Sequence, residues 1–219
     1  VDVGSLTIVS ASAATLNDVT TDTGLDVTAT TINLDGENYQ NTGVGSIMLD
    51  SATVNLSKNL VTLQTAGAAT DDVTITGQLV GAASNLVIDT GALGGVDIQT
   101  QTAGMLSLTV TGADVQLAGV STAGSQDITG LTSITLNGGA YNSTVSGYIA
   151  FNGPTTLTRN TTITTMGANG DDITFGGTLD GGFALGLNAG ANGDIDFAGA
   201  VGGGARLGAV TITNAYDVM

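Results

Sequence analysis

Pairs of apolar residues two positions apart recur along this chain at intervals of roughly 22–24 residues. Apolar residues that alternate in this way lie on one face of a β-strand, and the residue between them lies on the other face. The pairs are Leu25/Val27, Ile47/Leu49, Val73/Ile75, Val96/Ile98, Ile149/Phe151, Ile173/Phe175 and Ile195/Phe197. A strand that returns at a nearly constant interval predicts a β-solenoid, in which each interval is one turn and like residues stack above like.

A second, longer repeat contains this short one. Residues 67–79 return as residues 167–179, an offset of 100, and Tyr39 returns as Tyr141. The two copies cover approximately residues 25–100 and 128–200. We therefore predict an all-β fold, a parallel β-helix over residues 1–219, which forms one rod that belongs to a longer or an assembling structure.

Two tandem β-sandwich domains are the alternative fold, because about 100 residues is also the size of an immunoglobulin-like unit. A sandwich accounts for the long repeat but not for the short one. It also requires a linker between the copies and bulky side chains between two sheets, and the sequence contains no Trp. The 34 Gly residues and the many Thr, Val, Asn and Asp residues favour short strands joined by tight turns.

Composition excludes several functions. The formal charge of the 219 residues is -16, and only Lys58, Arg159 and Arg206 are basic, so we expect no nucleic-acid partner. No segment reaches the roughly 18 apolar residues of a membrane helix, so we expect no membrane insertion. The chain contains neither His nor Cys, which removes Ser-His and Cys-His nucleophile systems. We predict that the protein is not an enzyme.

Four segments resemble the repeats of bacterial filamentous-haemagglutinin-type exoproteins and giant surface adhesins. These segments are residues 149–153, 171–175, 193–197 and 207–215. The resemblance is one of repeat style and covers nearly the whole chain. It implies a right-handed parallel β-helix, export from a prokaryotic cell to its surface, and a role in adhesion, aggregation or matrix formation.

Acidic residues cluster in the predicted turns. The candidate Ca²⁺ ligands are Asp71, Asp72, Asp171, Asp172, Asp194 and Asp196. The segments resemble half of the calcium-binding nonapeptide roll, in which carboxylate and carbonyl oxygens surround the ion. The alternative is structural, because an Asp that precedes a strand accepts hydrogen bonds from nearby backbone amides. Apart from this Ca²⁺, we predict no cofactor.

Thr-x-Thr triplets form a second recurring pattern. They occupy residues 28–30, 74–76, 100–102, 109–111, 162–164 and 211–213. Both Thr side chains of such a triplet lie on one face of a strand, and a flat rank of them would suit an ice-binding protein. The structural alternative is that Thr is a common outward residue of β-strands.

These observations predict a structural extracellular protein that forms a surface fibre, sheath or adhesin stalk. Its main partner would be a second copy or a neighbouring repeat, because the first and last strands resemble ordinary turns rather than caps. One alternative is an adhesin that binds a glycan or another cell, with residues 118–127 as a non-repeating insert that carries the site. A Ca²⁺-dependent surface-layer protein is another alternative.

Overall fold

The chain winds into a β-solenoid with three flat faces. The computed structural model describes residues 1–81 and 83–219, and these residues form 24 strands and no helix. The pairings between these strands are parallel, which excludes two antiparallel sandwiches for this part of the chain. The predicted parallel β-helix is confirmed, and it has roughly ten turns.

The chain visits the three faces in a fixed order in every turn. Face 1 holds β1 (Asp2–Val3), β3 (Val19–Thr21), β5 (Asn38–Asn41), β8 (Leu60–Gln64), β11 (Asn85–Asp89), the first parts of β13 (Ser107–Leu117) and β15 (Gln126–Leu136), β17 (Ile149–Asn152), β20 (Ile173–Phe175) and β23 (Ile195–Phe197). Face 2 holds the first parts of β2 (Leu6–Leu16) and β4 (Leu25–Leu34), β6 (Ile47–Asp50), β9 (Val73–Ile75), β12 (Val96–Ile98), the second parts of β13 and β15, β18 (Thr155–Leu157) and β21 (Leu179–Asp180). Face 3 holds the second parts of β2 and β4, β7 (Thr53–Leu56), β10 (Gln78–Gly81), β14 (Val120–Thr122), β16 (Ala140–Ser143), β19 (Thr161–Thr164), β22 (Leu185–Asn188) and β24 (Val210–Asn214).

Turn length matches the predicted interval in parts of the rod and departs from it in others. Ile173 pairs with Ile195 in the next turn, at the predicted spacing. The turn that joins Met105 to Thr122 is shorter, and the turn that joins Ile47 to Val73 is longer. The difference lies in the corners, because a longer corner loop leaves the strand register unchanged.

The interior is a narrow column in which side chains stack on their counterparts in the next turn. Between the terminal turns, alternating strand residues point inward and most of them are almost completely buried. On face 1 the rings of Phe151, Phe175 and Phe197 form a continuous stack with centroid separations of 5.5 Å. Tyr141 packs edge-on against Phe151 at 5.7 Å. Offset-stacked and edge-to-face arrangements are the favourable geometries for aromatic pairs.

Equivalent residues of the two sequence copies lie on different faces of the rod. Tyr39 lies on β5 of face 1, whereas Tyr141 lies on β16 of face 3. Fourteen strand positions separate the two tyrosines when each strand is counted once for each face that it crosses and the bridge at Ala103 is included. Fourteen is not a multiple of three, so the second copy is displaced by four and two-thirds turns and is rotated about the axis relative to the first.

Both matched tyrosines make the same buried contacts. The Tyr39 hydroxyl donates to the Leu16 carbonyl at 2.7 Å and accepts from the Gly36 amide at 2.8 Å. The Tyr141 hydroxyl donates to the carbonyl of Leu117 at 2.8 Å and accepts from the amide of Gly138 at 3.2 Å. Each hydroxyl thus provides a hydrogen-bond partner for one carbonyl and one amide of a corner, which would otherwise be buried without partners.

Two glycine pairs let corner loops of successive turns touch. Gly167 and Gly190 have φ of +80° and +70°, a region that favours glycine. A Cβ atom on Gly190 would lie 2.3 Å from the Cα of Gly167. Gly67 and Gly91 repeat this arrangement in the first copy, where a Cβ on Gly91 would lie 2.9 Å from the Gly67 Cα.

We expect Gly190→Ala to destabilise the rod by roughly 2–4 kcal/mol, through left-handed backbone strain and a backbone clash. The thermal midpoint followed by circular dichroism should fall by about 5–15 °C. Gly182→Ala is the matched control, because a Cβ there has no heavy atom within 4 Å. Equal midpoints for the two variants would contradict the predicted contact.

Alkaline pH should also destabilise the fold. Burial raises the pKa of Tyr39 to about 12 from its ordinary value of 10.0, and burial raises the pKa of Tyr141 as well. The neutral phenols therefore contribute stability that is complete below pH 10 and is lost as the pH rises to about 12.

Urea unfolding at a series of pH values measures this loss, and the double variant Tyr39→Phe/Tyr141→Phe should lose less stability between neutral and alkaline pH. At neutral pH the same variant should be less stable than the natural chain, because it leaves corner backbone groups unpaired at roughly 1–3 kcal/mol each. An unchanged alkaline loss in the variant would assign the effect to other groups.

Candidate functional site: the terminal turns and the acidic corners

The N-terminal turn leaves the solenoid interior partly open. Within the described residues, the first part of β2 pairs with β4 on one side only, with Leu6 against Leu25 and Ile8 against Val27. Leu25 and Val27 are fully buried, whereas the inward side chains of Leu6 and Ile8 are half-buried. The second edge of this strand has no strand beside it in the part of the chain that the structure describes.

The C-terminal turn is open in the same way. Strand β24 pairs with β22, with Val210 against Leu185 and Ile212 against Leu187. Leu185 and Leu187 are each 1% exposed, whereas Val210 is 44% and Ile212 is 39% exposed. Val218 bridges to Ile195 and is also exposed. Over the described residues, each end of the rod presents apolar side chains beside a free strand edge.

Asp71 and Asp171 are buried, and each links two successive turns through hydrogen bonds. The Asp71 carboxylate accepts from the amide of Ala68 in its own corner and from the amide of Gly45 in the preceding turn, both at 2.8 Å. The Asp171 carboxylate repeats this with Ala168 at 2.9 Å and Gly147 at 2.7 Å. Ser146 adds a hydroxyl donor to Asp171 at 3.1 Å.

The next residues in sequence, Asp72 and Asp172, accept hydrogen bonds from the following turn. The carboxylate of Asp72 accepts from the amide of Gly95 at 2.7 Å, and that of Asp172 accepts from the amide of Asp194 at 2.8 Å. Each Asp-Asp pair therefore joins three successive turns. This contact brings Asp172 and Asp194 together through a backbone amide rather than through two carboxylates.

The calcium hypothesis receives no support from this geometry. Within residues 1–81 and 83–219, no group of three or more acidic side chains is placed to hold a metal ion. The carboxylates of Asp71 and Asp171 accept hydrogen bonds from backbone amides. Asp196 lies on the outward side of β23. The buried Oδ1 atom of Asp194 has no hydrogen-bond partner among these residues. Calcium binding stays a prediction from sequence.

The Thr-x-Thr triplets do not form one rank. Residues 74–76 lie on face 2, residues 109–111 on face 1, and residues 162–164 and 211–213 on face 3. A flat ice-binding surface requires these triplets on one face, so this geometry does not favour the ice-binding alternative.

The predicted insert at residues 118–127 is wrong. Its residues form β14 and the start of β15, and β14 pairs with β16 in register. Val120, Thr122 and Gln126 are buried, and the Gln126 amide donates to the Asn142 carbonyl at 2.9 Å. The segment corresponds to residues 17–26, so the long repeat begins upstream of residues 25 and 128, and substituted side chains conceal this in the sequence.

A groove at the corner between faces 2 and 3 brings several polar side chains together. It is lined by Gln99, Gln101, Gln116, Asn137 and Arg159. Such amides donate and accept hydrogen bonds. Sequence reasoning missed this groove, because its residues come from turns that only the winding brings together.

Comparison with known proteins identifies no relative: no protein-family model, no curated protein and no solved structure matches the chain. Within the described parts of the chain, no helix has the length and apolar character needed to cross a membrane.

We expect Asp171→Ala to destabilise the rod by roughly 2–4 kcal/mol, because three donors lose their charged acceptor. The loss should be the same in EDTA and in millimolar Ca²⁺, as measured by thermal unfolding. Asp196→Ala, on the outward side of β23, is the control and should unfold near the natural midpoint. A Ca²⁺-dependent rise in the midpoint of the natural chain that Asp171→Ala abolishes would instead assign a metal to this corner.

Proposed function

We propose that this protein is a structural rod of the bacterial cell surface that extends into a fibre, sheath or adhesin stalk by stacking turn upon turn. The observation that carries the proposal is the open interior at both terminal turns, where Leu6, Ile8, Val210 and Ile212 are only partly covered. Extracellular placement rests on the resemblance of the repeats to those of large bacterial exoproteins.

Stacking of a further turn would pair the free strand edge and would bury the apolar side chains beside it. A free strand edge offers unpaired amides and carbonyls to another strand. Burying a Val, Leu or Ile side chain completely stabilises by about 1.5–3 kcal/mol relative to leaving it exposed. Four half-open side chains at the two ends therefore favour the stacking of a further turn, from a second copy or from a neighbouring repeat.

Charge directs this association along the axis. The chain carries a formal charge of -16, and Asp26, Asp97, Asp127 and Asp196 occupy outward positions on the flat faces. Rods that approach side by side would repel one another, and charged side chains on a strand surface oppose lateral pairing. Apolar ends and acidic sides together favour linear growth.

Binding of a glycan or another cell is a second candidate function. The groove that contains Gln101, Gln116 and Arg159 favours it, since amide and guanidinium groups hydrogen-bond to sugar hydroxyls. A stalk and a binding module are compatible, because the groove lies on the side of the rod.

We expect the purified chain to form oligomers or filaments that grow with concentration, and Ile212→Lys to abolish them. The substitution places a charge at the end interface, where its burial is costly, while in the single chain position 212 is exposed enough to solvate it. Thr211→Lys is the matched control and should assemble, because it adds the same charge on the outward side of the same strand.

Sizing with light scattering and negative-stain electron microscopy distinguish these outcomes. Circular dichroism establishes that both variants are folded. A natural chain that is folded and strictly monomeric at every concentration would refute assembly through these ends.

A further inference from the structure

We propose that the groove at the corner between faces 2 and 3 binds an uncharged polysaccharide chain that lies along the rod axis. The inference rests on the second candidate function, binding of a glycan, and names the class of glycan, its direction and the side chains that contact it. It requires no contact at either end of the rod.

The groove crosses five successive turns of the solenoid. It begins beside Gln101, passes Gly119 in the next turn and Gly139 in the third, and continues past Arg159 to Phe183 in the fifth. Four spacings of about 4.8 Å give it a length of about 19 Å along the axis. A groove of this shape suits an extended chain better than a compact molecule.

Glycines form the floor of the groove. A Cβ atom on Gly138 would lie 2.1 Å from the Gly119 nitrogen, so the corners of these two turns contact each other through their backbones. A Cβ atom on Gly139 would have one heavy atom within 4 Å, a backbone oxygen at 3.9 Å. The long side chains of Gln101 and Arg159 come from the turns on either side of this floor. The floor is therefore accessible to a ligand.

The amide side chains beside the floor are held in place and keep part of their hydrogen-bonding capacity. The Gln99 amide nitrogen donates to a carboxylate oxygen of Asp97 at 2.8 Å, which leaves the Gln99 side-chain oxygen as an acceptor. The Asn160 side-chain oxygen accepts from the Ala184 amide at 3.0 Å, which leaves the Asn160 side-chain nitrogen as a donor. A mixture of donors and acceptors suits hydroxyl groups, because a hydroxyl both donates and accepts.

Charge indicates that the ligand is uncharged. Of the described residues that line the groove, Asp97 and Arg159 are charged, and their charges are opposite. The formal charge of -16 on the chain would repel a polyanion, and Arg159 would oppose a polycation inside the groove. A neutral polyhydroxylated chain meets neither obstacle.

Phe183 supplies an aromatic surface at one end of the groove. It is 38% exposed, whereas Phe151 in the interior stack is completely buried. The face of an aromatic ring is negative and attracts C–H groups, which a pyranose presents on one side of its ring. A carbohydrate chain would thus pack against Phe183 and donate and accept hydrogen bonds at the amides further along.

Isothermal titration calorimetry of the natural chain tests the ligand class. The probes are neutral hexasaccharides of cellulose, chitin, laminarin, mannan and amylose, their disaccharides, and acidic hexasaccharides of polygalacturonate and hyaluronan. We expect a neutral hexasaccharide to bind at least about tenfold more tightly than its disaccharide, because the longer chain contacts more turns. The acidic hexasaccharides should not bind.

Variants locate the binding in the groove. Gly139→Leu fills the floor and should abolish binding, whereas Gly176→Leu is the matched control, because a Cβ there makes an ordinary contact with the Asn152 side chain at 3.4 Å at a different corner. Phe183→Ala should weaken binding about tenfold, and Phe183→Tyr, which keeps the ring, should bind like the natural chain. Circular dichroism establishes that all four variants are folded.

The outcomes separate this inference from the functions proposed above. Binding that Gly139→Leu leaves unchanged would place the glycan elsewhere and overturn the inference. A disaccharide that binds as tightly as its hexasaccharide would overturn the axial path. Binding of the acidic hexasaccharides alone, abolished by Gly139→Leu, would overturn the ligand class and leave glycan binding in the groove. If no probe binds, the inference and the second candidate function are both wrong, and the rod proposal still depends on the assembly measurements.

Discussion

The parallel hydrogen-bond ladder along the rod axis is the interaction on which the rest of the structure depends. It places each strand about 4.8 Å from its counterpart in the next turn, so side chains in the interior meet residues at the same position of the neighbouring turn. The stack of Phe151, Phe175 and Phe197 and the contact of Gly167 with Gly190 both follow from this spacing. A narrow interior also explains why small aliphatic side chains suffice to fill it.

The corners carry the second constraint, because each change of direction interrupts the ladder and leaves backbone groups without strand partners. Asp71 and Asp171 accept hydrogen bonds from such amides in two turns at once. Tyr39 and Tyr141 satisfy one carbonyl and one amide each from inside the rod. The acidic residues that draw attention in the sequence therefore have structural roles that account for their recurrence.

Sides and ends of the rod differ in their chemistry, and this difference connects the fold to the proposed function. The sides carry Thr, Asn and Asp on flat, hydrogen-bonded sheets, and their negative charge opposes lateral association. The ends carry half-covered Leu, Ile and Val beside open strand edges. In the proposed function, these ends are the surfaces on which a further turn would stack.

The sequence alone favoured the correct class of fold, because apolar pairs such as Ile173/Phe175 and Ile195/Phe197 repeat at the length of a turn, which two β-sandwiches do not account for. It also revealed the two long copies and the tight turns. Only the tertiary structure decided what these copies do in space: fourteen strand positions do not divide by three, so Tyr39 and Tyr141 lie on different faces. The roles of Asp71 and Asp171, the regular strand within residues 118–127 and the open terminal turns were likewise decided by contacts between neighbouring turns, which lie far apart in the chain and which local sequence patterns do not encode.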